Sequence, residues 1–182
     1  ILTDDEEMAH LCVSMRNQGR GRGGGWLAHE RLGYNFRLSD INCALGIEQV
    51  KRIEEIIEKR KRVSELYHHY LADETRIQIP QEPDDCRMSW FVFVIRLNDQ
   101  YNMDQRNQIL KNMVQRGIQV SNYFPPVYLQ PFIANEYGCK KGDYPVTDHV
   151  SSRTIALPFH NHLTAEDVEL VCRELHGCLN EI

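Results

Sequence analysis

The spacing of apolar positions divides the chain into a helical first part and a mixed remainder. Met8, Leu11, Cys12 and Met15 recur at helical spacing behind Thr3-Asp4-Asp5-Glu6, which reads as a capping box. They predict a short helix ending near Asn17. A far longer helical pattern runs from about Ser39 to about Leu71, with Ser39 or Asp40 as its N-cap. Ile41, Leu45, Ile53, Ile56, Val63, Leu66, Tyr67 and Tyr70 form its apolar stripe, and Glu55–Lys59 and Glu58–Arg62 are favourable pairs on its wet face. A glycine inside a helix costs up to about 1 kcal/mol against alanine. Gly46 therefore predicts close packing against another backbone.

Beyond this helix the period changes. Ile77-Gln78-Ile79 alternates like a short strand, and Pro80 and Pro83 mark a linker. Trp90 to Leu97 is rich in aromatic and β-branched residues and predicts a strand buried on both faces or nearly so. Asp104 is placed to cap a helix carrying Ile109, Leu110, Met113 and Val114 to about Arg116, with Gly117 closing it. Ile118-Gln119-Val120 reads as another strand. Ser121 to Phe132 is dense in aromatics and prolines, a stiff loop suited to a pocket wall or to packing on the core. A short helix from Thr147 to Thr154, a strand over Ile155–Pro158 and a capped helix beginning at Leu163-Thr164-Ala165 follow. Val168, Val171, Cys172 and Leu175 line that last helix. From Ile77 onward this is the order of a small α/β domain.

Composition narrows the picture. The chain has 182 residues, 42% of them hydrophobic and 26% charged, as in an ordinary globular protein with a real core. The formal net charge of -5 argues against general nucleic-acid binding. No apolar run approaches the roughly 18 residues of a membrane span. The acidic start Ile1-Leu2-Thr3-Asp4-Asp5 does not read as a signal peptide, and a chain opening on Ile-Leu-Thr reads as part of a longer one. Six cysteines lie scattered, with no Cys-x-x-Cys pair. Most read as buried small hydrophobes in a reducing, cytoplasmic compartment, and no zinc-ligand spacing emerges.

Candidate chemistry gathers at three places. Gly19 to Gly25 is a glycine-rich loop carrying Arg20 and Arg22, whose guanidinium groups suit phosphate oxygens; without a Walker lysine it is not a P-loop. Trp26 and His29 follow it, placed to close over a ligand or simply to pack. Leu32 to Asp40 then feeds a helix N-terminus, where backbone donors and the dipole favour anions. Gly33 permits a bend there, and Tyr34, Asn35 and Arg37 are presented beside it. The third place is the aromatic loop with Tyr123 and Tyr128. His68 and His69 are adjacent on a helix and point about 100° apart, so they do not share one small ligand. His160 and His162 lack neighbouring carboxylate or cysteine partners in sequence, and no metal site is assigned. No Gly-x-Ser-x-Gly elbow is present.

Gly33-Tyr34-Asn35-Phe36-Arg37-Leu38-Ser39-Asp40-Ile41-Asn42 resembles the signature that follows the active-site lysine in DegT/StrS-type (DegT/DnrJ/EryC/StrS) sugar aminotransferases. Three further stretches are similar to the same family in the same order. They are Thr3–Glu7 with Arg16–Arg20, Tyr123–Phe132, and Ile155–His160 with Leu163-Thr164 and Asp167. The resemblance implies the C-terminal half of a fold-type I enzyme using pyridoxal 5′-phosphate. Residues 1–38 would be a remnant of the large cofactor domain, 39–72 a long interdomain helix and 73–182 the small α/β domain. The Schiff-base lysine would lie upstream, so the fragment alone is expected to be inactive. Family members are implied to be homodimers with active sites at the subunit interface. Asn35, with Tyr34 and Arg37 beside it, would reach the phosphate of the neighbour's cofactor. Substrates would be nucleotide-linked keto-sugars of amino-sugar, polysaccharide or antibiotic-sugar biosynthesis, with glutamate as amino donor. Arg20 and Arg22 would meet the diphosphate, and Tyr123, Tyr128 and His160 the sugar. Tyr128 stands where many relatives carry histidine, which favours hydrogen bonding or packing there over acid–base work. Two alternatives stay open: a sugar dehydratase of the same family, with histidine replacing the lysine, and a non-catalytic binding or regulatory module of the same fold.

Overall fold

The computed structural model describes residues 1–23, 25 and 28–182. Two compact units divide the chain, Ile1–Arg52 and Ile53–Ile182. The described residues form a mixed α/β fold of seven α-helices, one short 3-10 turn and one small sheet.

The first unit opens with α1 (Glu6–Arg16) and closes with α2 (Asp40–Lys51). The N-cap of α1 is Asp5, which accepts from the backbone N–H groups of Glu7 and Met8. Thr3, expected to cap, spends its hydroxyl on the N–H of Asp5, two residues too early to reach the helix. Ser39 rather than Asp40 caps α2, accepting from Asn42 N–H. Apart from Gly46, every residue of α2 is exposed, including Ile41 at 83% and Leu45 at 63%. A Cβ at Gly46 would meet nothing within 4 Å among the described residues, so the close packing expected there is absent. The helix expected to run unbroken from Ser39 to Leu71 is interrupted once, at Arg52, where α2 ends and α3 (Ile53–Tyr70) begins.

The second unit holds the core. β1 (Ile77–Gln78), β2 (Phe93–Leu97) and β3 (Thr154–Leu157) form an antiparallel sheet in the order β1-β2-β3. Ile77 pairs with Leu97, Phe93 with Leu157, and Ile95 with Ile155. Phe93, Ile95 and Leu97 are fully buried while Val94 and Arg96 are half-buried, so one face of β2 carries the core. That corrects the expectation of a strand buried on both faces, which would need a second covering layer. α3, α4 (Met103–Gln115) and α7 (Ala165–Asn180) supply the cover, with α7 packed against both α3 and α4. Val63 and Tyr67 of α3, Ile109 and Met113 of α4, and Val168, Val171 and Leu175 of α7 meet in one buried cluster. The Tyr67 ring stacks on Phe93 at 4.7 Å, and its hydroxyl donates to the carbonyl of Pro158 at 2.6 Å. His68 joins α3 to the following segment, its two ring nitrogens lying 2.7 and 2.8 Å from the carbonyl oxygens of Ser64 and Pro80.

Local signals shift by a residue or two. α4 is capped by Asn102 in a capping box with Gln105, ahead of the expected Asp104. Gly117 closes that helix at φ +82°, a conformation glycine adopts without strain. Ile118–Val120 is not a strand; only Ser121 makes a bridge, to Ala156. Two prolines start helices: Pro131, in the aromatic loop, begins α5 (Pro131–Tyr137), and Pro145, beyond it, begins α6 (Pro145–Ser151). Thr154, expected in that helix, opens β3 instead. Arg62 donates to the carbonyl of Leu163 at 2.8 Å rather than pairing with Glu58. Cys172 and Cys178 are buried as expected, and burial pushes the Cys172 thiol up to about 12. Cys43 and Cys86 are exposed.

Glu74, just past α3, is the best-connected carboxylate, its side chain only 6% exposed. It accepts from Arg76 Nε at 2.8 Å, Arg76 Nη2 at 2.6 Å and Arg76 N–H at 3.0 Å. The Arg76 side chain holds the Glu74 carboxyl below its ordinary range, against the opposing effect of burial. A folded pKa below the unfolded one contributes stability above the unfolded value and loses it as pH falls through the folded one. Glu74→Gln should lower unfolding free energy by about 1–2 kcal/mol at pH 7 in urea titrations. The gap from wild type should close below about pH 4. A gap that persisted undiminished at pH 3 would exclude the ion pair as its cause.

Candidate functional site

In the first unit, the candidate residues stand on a clasp between two chain segments. Tyr34 N–H donates to Met15 O at 2.7 Å, Phe36 N–H to Arg16 O at 2.9 Å, and Gln18 N–H to Tyr34 O at 2.9 Å. Asn17 bridges Asn35, and Arg20 bridges His29. Two features of the sequence permit this approach. Gln18 and Gly19 both take positive φ, 61° and 76°, to turn the chain after α1. Gly33 comes so near that a Cβ would sit 2.3 Å from Gly19 N and 2.7 Å from Met15 O. Gly33 thus serves close backbone approach rather than the expected bend: the chain neither turns there nor takes a positive φ.

The clasp presents Tyr34, Asn35 and Arg37 together. Arg37 Nε donates to Asn35 Oδ1 at 2.9 Å, and the Tyr34 ring stacks on Phe36 at 5.0 Å. With its carbonyl oxygen engaged, the Asn35 amide offers its NH2 group outward, beside the remaining guanidinium donors of Arg37. Ser39 caps α2 two residues further on. This is a donor set for an anion, built on exposed side chains whose backbone is hydrogen-bonded to the end of α1 and to Gln18.

The other predicted residues are dispersed. Arg20 Nε is buried without an acceptor among the described residues. Arg22 Nε donates to His10 Nδ1 at 3.1 Å, and His29 Nδ1 lies 2.8 Å from Gln18 O. Gly24 and Trp26 lie outside the described residues. In the second unit, Tyr123 stacks on Phe124 at 3.9 Å. Tyr128 donates to Asp148 Oδ1 at 2.5 Å and meets the Tyr144 ring at 4.8 Å. Partial burial, then the neighbouring Asp148, raises the Tyr128 hydroxyl above its ordinary value, so it remains a donor. His160 stands apart from both tyrosines, accepting from His162 N–H at 3.3 Å and acting electrostatically on Asp167.

One arrangement was not anticipated. Arg106 is only 4% exposed and lines a cavity of about 560 Å³ beside Pro125, Pro126 and Arg153. A signal for it existed: Arg106, Ile109, Leu110 and Met113 share one helical stripe, so an arginine was due to be buried with the core.

A family model for the DegT/DnrJ/EryC1/StrS aminotransferases matches residues 1–176. The chain belongs to this family. It is 25% identical over 183 aligned residues to a Campylobacter jejuni UDP-4-amino-4,6-dideoxy-N-acetyl-beta-L-altrosamine transaminase, covering 100% of this chain and 48% of that protein. A DegT/DnrJ/EryC1/StrS aminotransferase from Brucella abortus has the same fold, with TM-score 0.81 and 26% identity over 97% of this chain and 44% of that one. So does Helicobacter pylori PseC, an aminotransferase involved in the biosynthesis of pseudoaminic acid, with TM-score 0.87 and 20% identity over 99% of this chain and 48% of that one. These neighbours carry the fold-type I α/β architecture. The chain spans about half the length of the curated relatives it matches. No described helix is long and apolar enough to cross a membrane.

Gly33→Ala should open the clasp. Amide hydrogen exchange at Gln18, Tyr34 and Phe36 is expected to accelerate by at least about tenfold, corresponding to roughly 1.4 kcal/mol of lost local protection. Exchange at wild-type rates would show that the contact of Gly33 with Gly19 is dispensable.

Proposed function

We propose that the whole protein is a pyridoxal-phosphate-dependent aminotransferase acting on a nucleotide-linked keto-sugar, and that this chain supplies its C-terminal half. The observation that carries the reading is the family match over residues 1–176, strengthened by a relative named as a transaminase of a UDP-linked amino sugar. In this reading residues 1–38 belong to the large domain, 39–72 connect, and 73–182 form the small domain.

The residues present fit one part of the cofactor, its phosphate. Asn35 and Arg37 are ordered by their own hydrogen bond and leave donors free. A neutral amide and a guanidinium together suit a phosphate dianion. Bound pyridoxal phosphate supplies the electron sink for moving an amino group. This chain's part is to hold the phosphate with Asn35, Arg37 and Tyr34, and to bind substrate through Arg20, Arg22, Tyr123, Tyr128 and His160. Glutamate is the proposed donor, the cytoplasm the proposed compartment.

A homodimer is proposed from the surface of the first unit. Leu32, Tyr34, Phe36, Leu38, Ile41 and Leu45 are each more than half exposed, an apolar run of the kind that marks an interaction surface. Placing Asn35 among them puts the phosphate ligand at that interface.

Full-length protein given glutamate and UDP- or GDP-linked keto-sugars should produce the amino sugar and 2-oxoglutarate together. Loss of water from the sugar without nitrogen transfer would overturn the reading in favour of dehydration. In the same protein, Asn35→Ala should raise the cofactor dissociation constant about tenfold, followed as cofactor loss on dialysis. Unchanged retention would remove Asn35 from the phosphate site.

A further inference from the structure

The second unit contains a cavity that the aminotransferase reading does not use. It is about 560 Å³, within the range of small-molecule sites, and lies between the start of α4, the aromatic loop and the end of α6. Its cationic lining is Arg106, Arg153 and Lys141, and Met103, Pro126 and Leu129 contribute an apolar wall.

The two arginines are held without any carboxylate. Arg106 donates through Nε to Asn107 Oδ1 at 3.0 Å, and through Nη1 to the carbonyls of Ser151 at 3.3 Å and Thr154 at 3.0 Å. A guanidinium has five N–H donors. The two on Arg106 Nη2 have no acceptor among the described residues. Arg153 Nη1 donates to His149 O and Ser152 Oγ, at 3.0 and 2.9 Å, and its Nε is buried without an acceptor among the described residues. Asp148 also lines the cavity, but its oxygens already accept from Tyr128 and from Gly142 N–H. His149 is engaged with Asp99 at 2.9 Å.

A buried cation without a counter-charge is costly, and native arginines in that position are normally paired. Here the hydrogen-bond partners are neutral oxygens, which fix the guanidinium groups in place, and donors on both arginines stay without an acceptor among the described residues. We propose that this cavity binds a small organic anion, a phosphate ester or a carboxylate, with Arg106 and Arg153 on the anionic group and the apolar wall on the body of the ligand. The arginine fork matches either anion in shape and charge. The proposal rests on residues of the second unit alone and stands whether or not the protein transaminates.

Calorimetric titration of the full-length protein at low salt, with phenyl phosphate, benzoate and inorganic phosphate as separate probes, tests it. At least one organic probe should bind saturably with a dissociation constant below about 1 mM and weaken as salt rises. Tighter binding of phenyl phosphate than of benzoate assigns a phosphate ester, and the reverse a carboxylate. Arg153→Gln, at a partly exposed position, should weaken binding by about tenfold or more with the circular dichroism unchanged. Arg87→Gln, a surface arginine paired with Glu54 outside the cavity, should leave it unaltered. No saturable binding of any probe up to about 10 mM, or equal binding by wild type and Arg153→Gln, overturns the proposal.

Discussion

A sheet with strands of two, five and four residues does not stand on its own, and the second unit depends on covering one of its faces. Phe93 sits at the centre of that face. Tyr67 from α3 stacks on it, Trp90 lies 5.8 Å away, and His68 meets it edge-on at 5.4 Å. Because Tyr67 also donates to Pro158 O, one side chain ties α3 both to the sheet face and to the exit of β3. Burial holds the Tyr67 hydroxyl well above its ordinary value, so that donor persists at any physiological pH. The loop that carries His160 leaves the end of β3, and Ser121, just before Tyr123, bridges Ala156 of the same strand.

The same dependence explains what the sequence made legible. Val63, Ile109, Met113, Val168 and Leu175 recur at helical spacing and all reach the core, because each has a partner within the chain. Ile41 and Leu45 obey the same spacing and are exposed, because periodicity reports that a face is apolar without saying what covers it. Gly46 follows for a related reason: a helix-interior glycine signals that bulk is unwanted, and no neighbour lies within 4 Å of its Cβ position among the described residues. The caps moved by one or two residues because Thr3, Asp5, Asn102 and Asp104 are all competent, and backbone geometry chooses among them.

Around the candidate phosphate ligand, the loop was legible and its anchorage was not. Tyr34, Asn35 and Arg37 stand out by type and by their place before a helix start. That Gly33 presses on Gly19, and that Met15 and Arg16 hold Tyr34 and Phe36, are pairings between segments more than ten residues apart that no local pattern encodes. Anchorage matters to the chemistry. A single exposed amide is a weak anion ligand, because it must be ordered before it can bind. Here the backbone on both sides of Asn35 is already bonded and Arg37 sets the amide's orientation, so much of that ordering precedes any ligand.

Tyr128 ties two elements of the second unit together. Where a histidine would bring a group that titrates near neutral pH, the tyrosine brings a hydroxyl that stays protonated. It donates to Asp148, whose second oxygen accepts from Gly142 N–H, so the carboxylate pins the loop after α5 to α6. Both Asp148 oxygens are thereby engaged, in a cavity that Arg106 and Arg153 also line. The Tyr128–Asp148 bond thus ties the aromatic loop to α6, and both elements contribute to the wall of the cavity that Arg106 and Arg153 line.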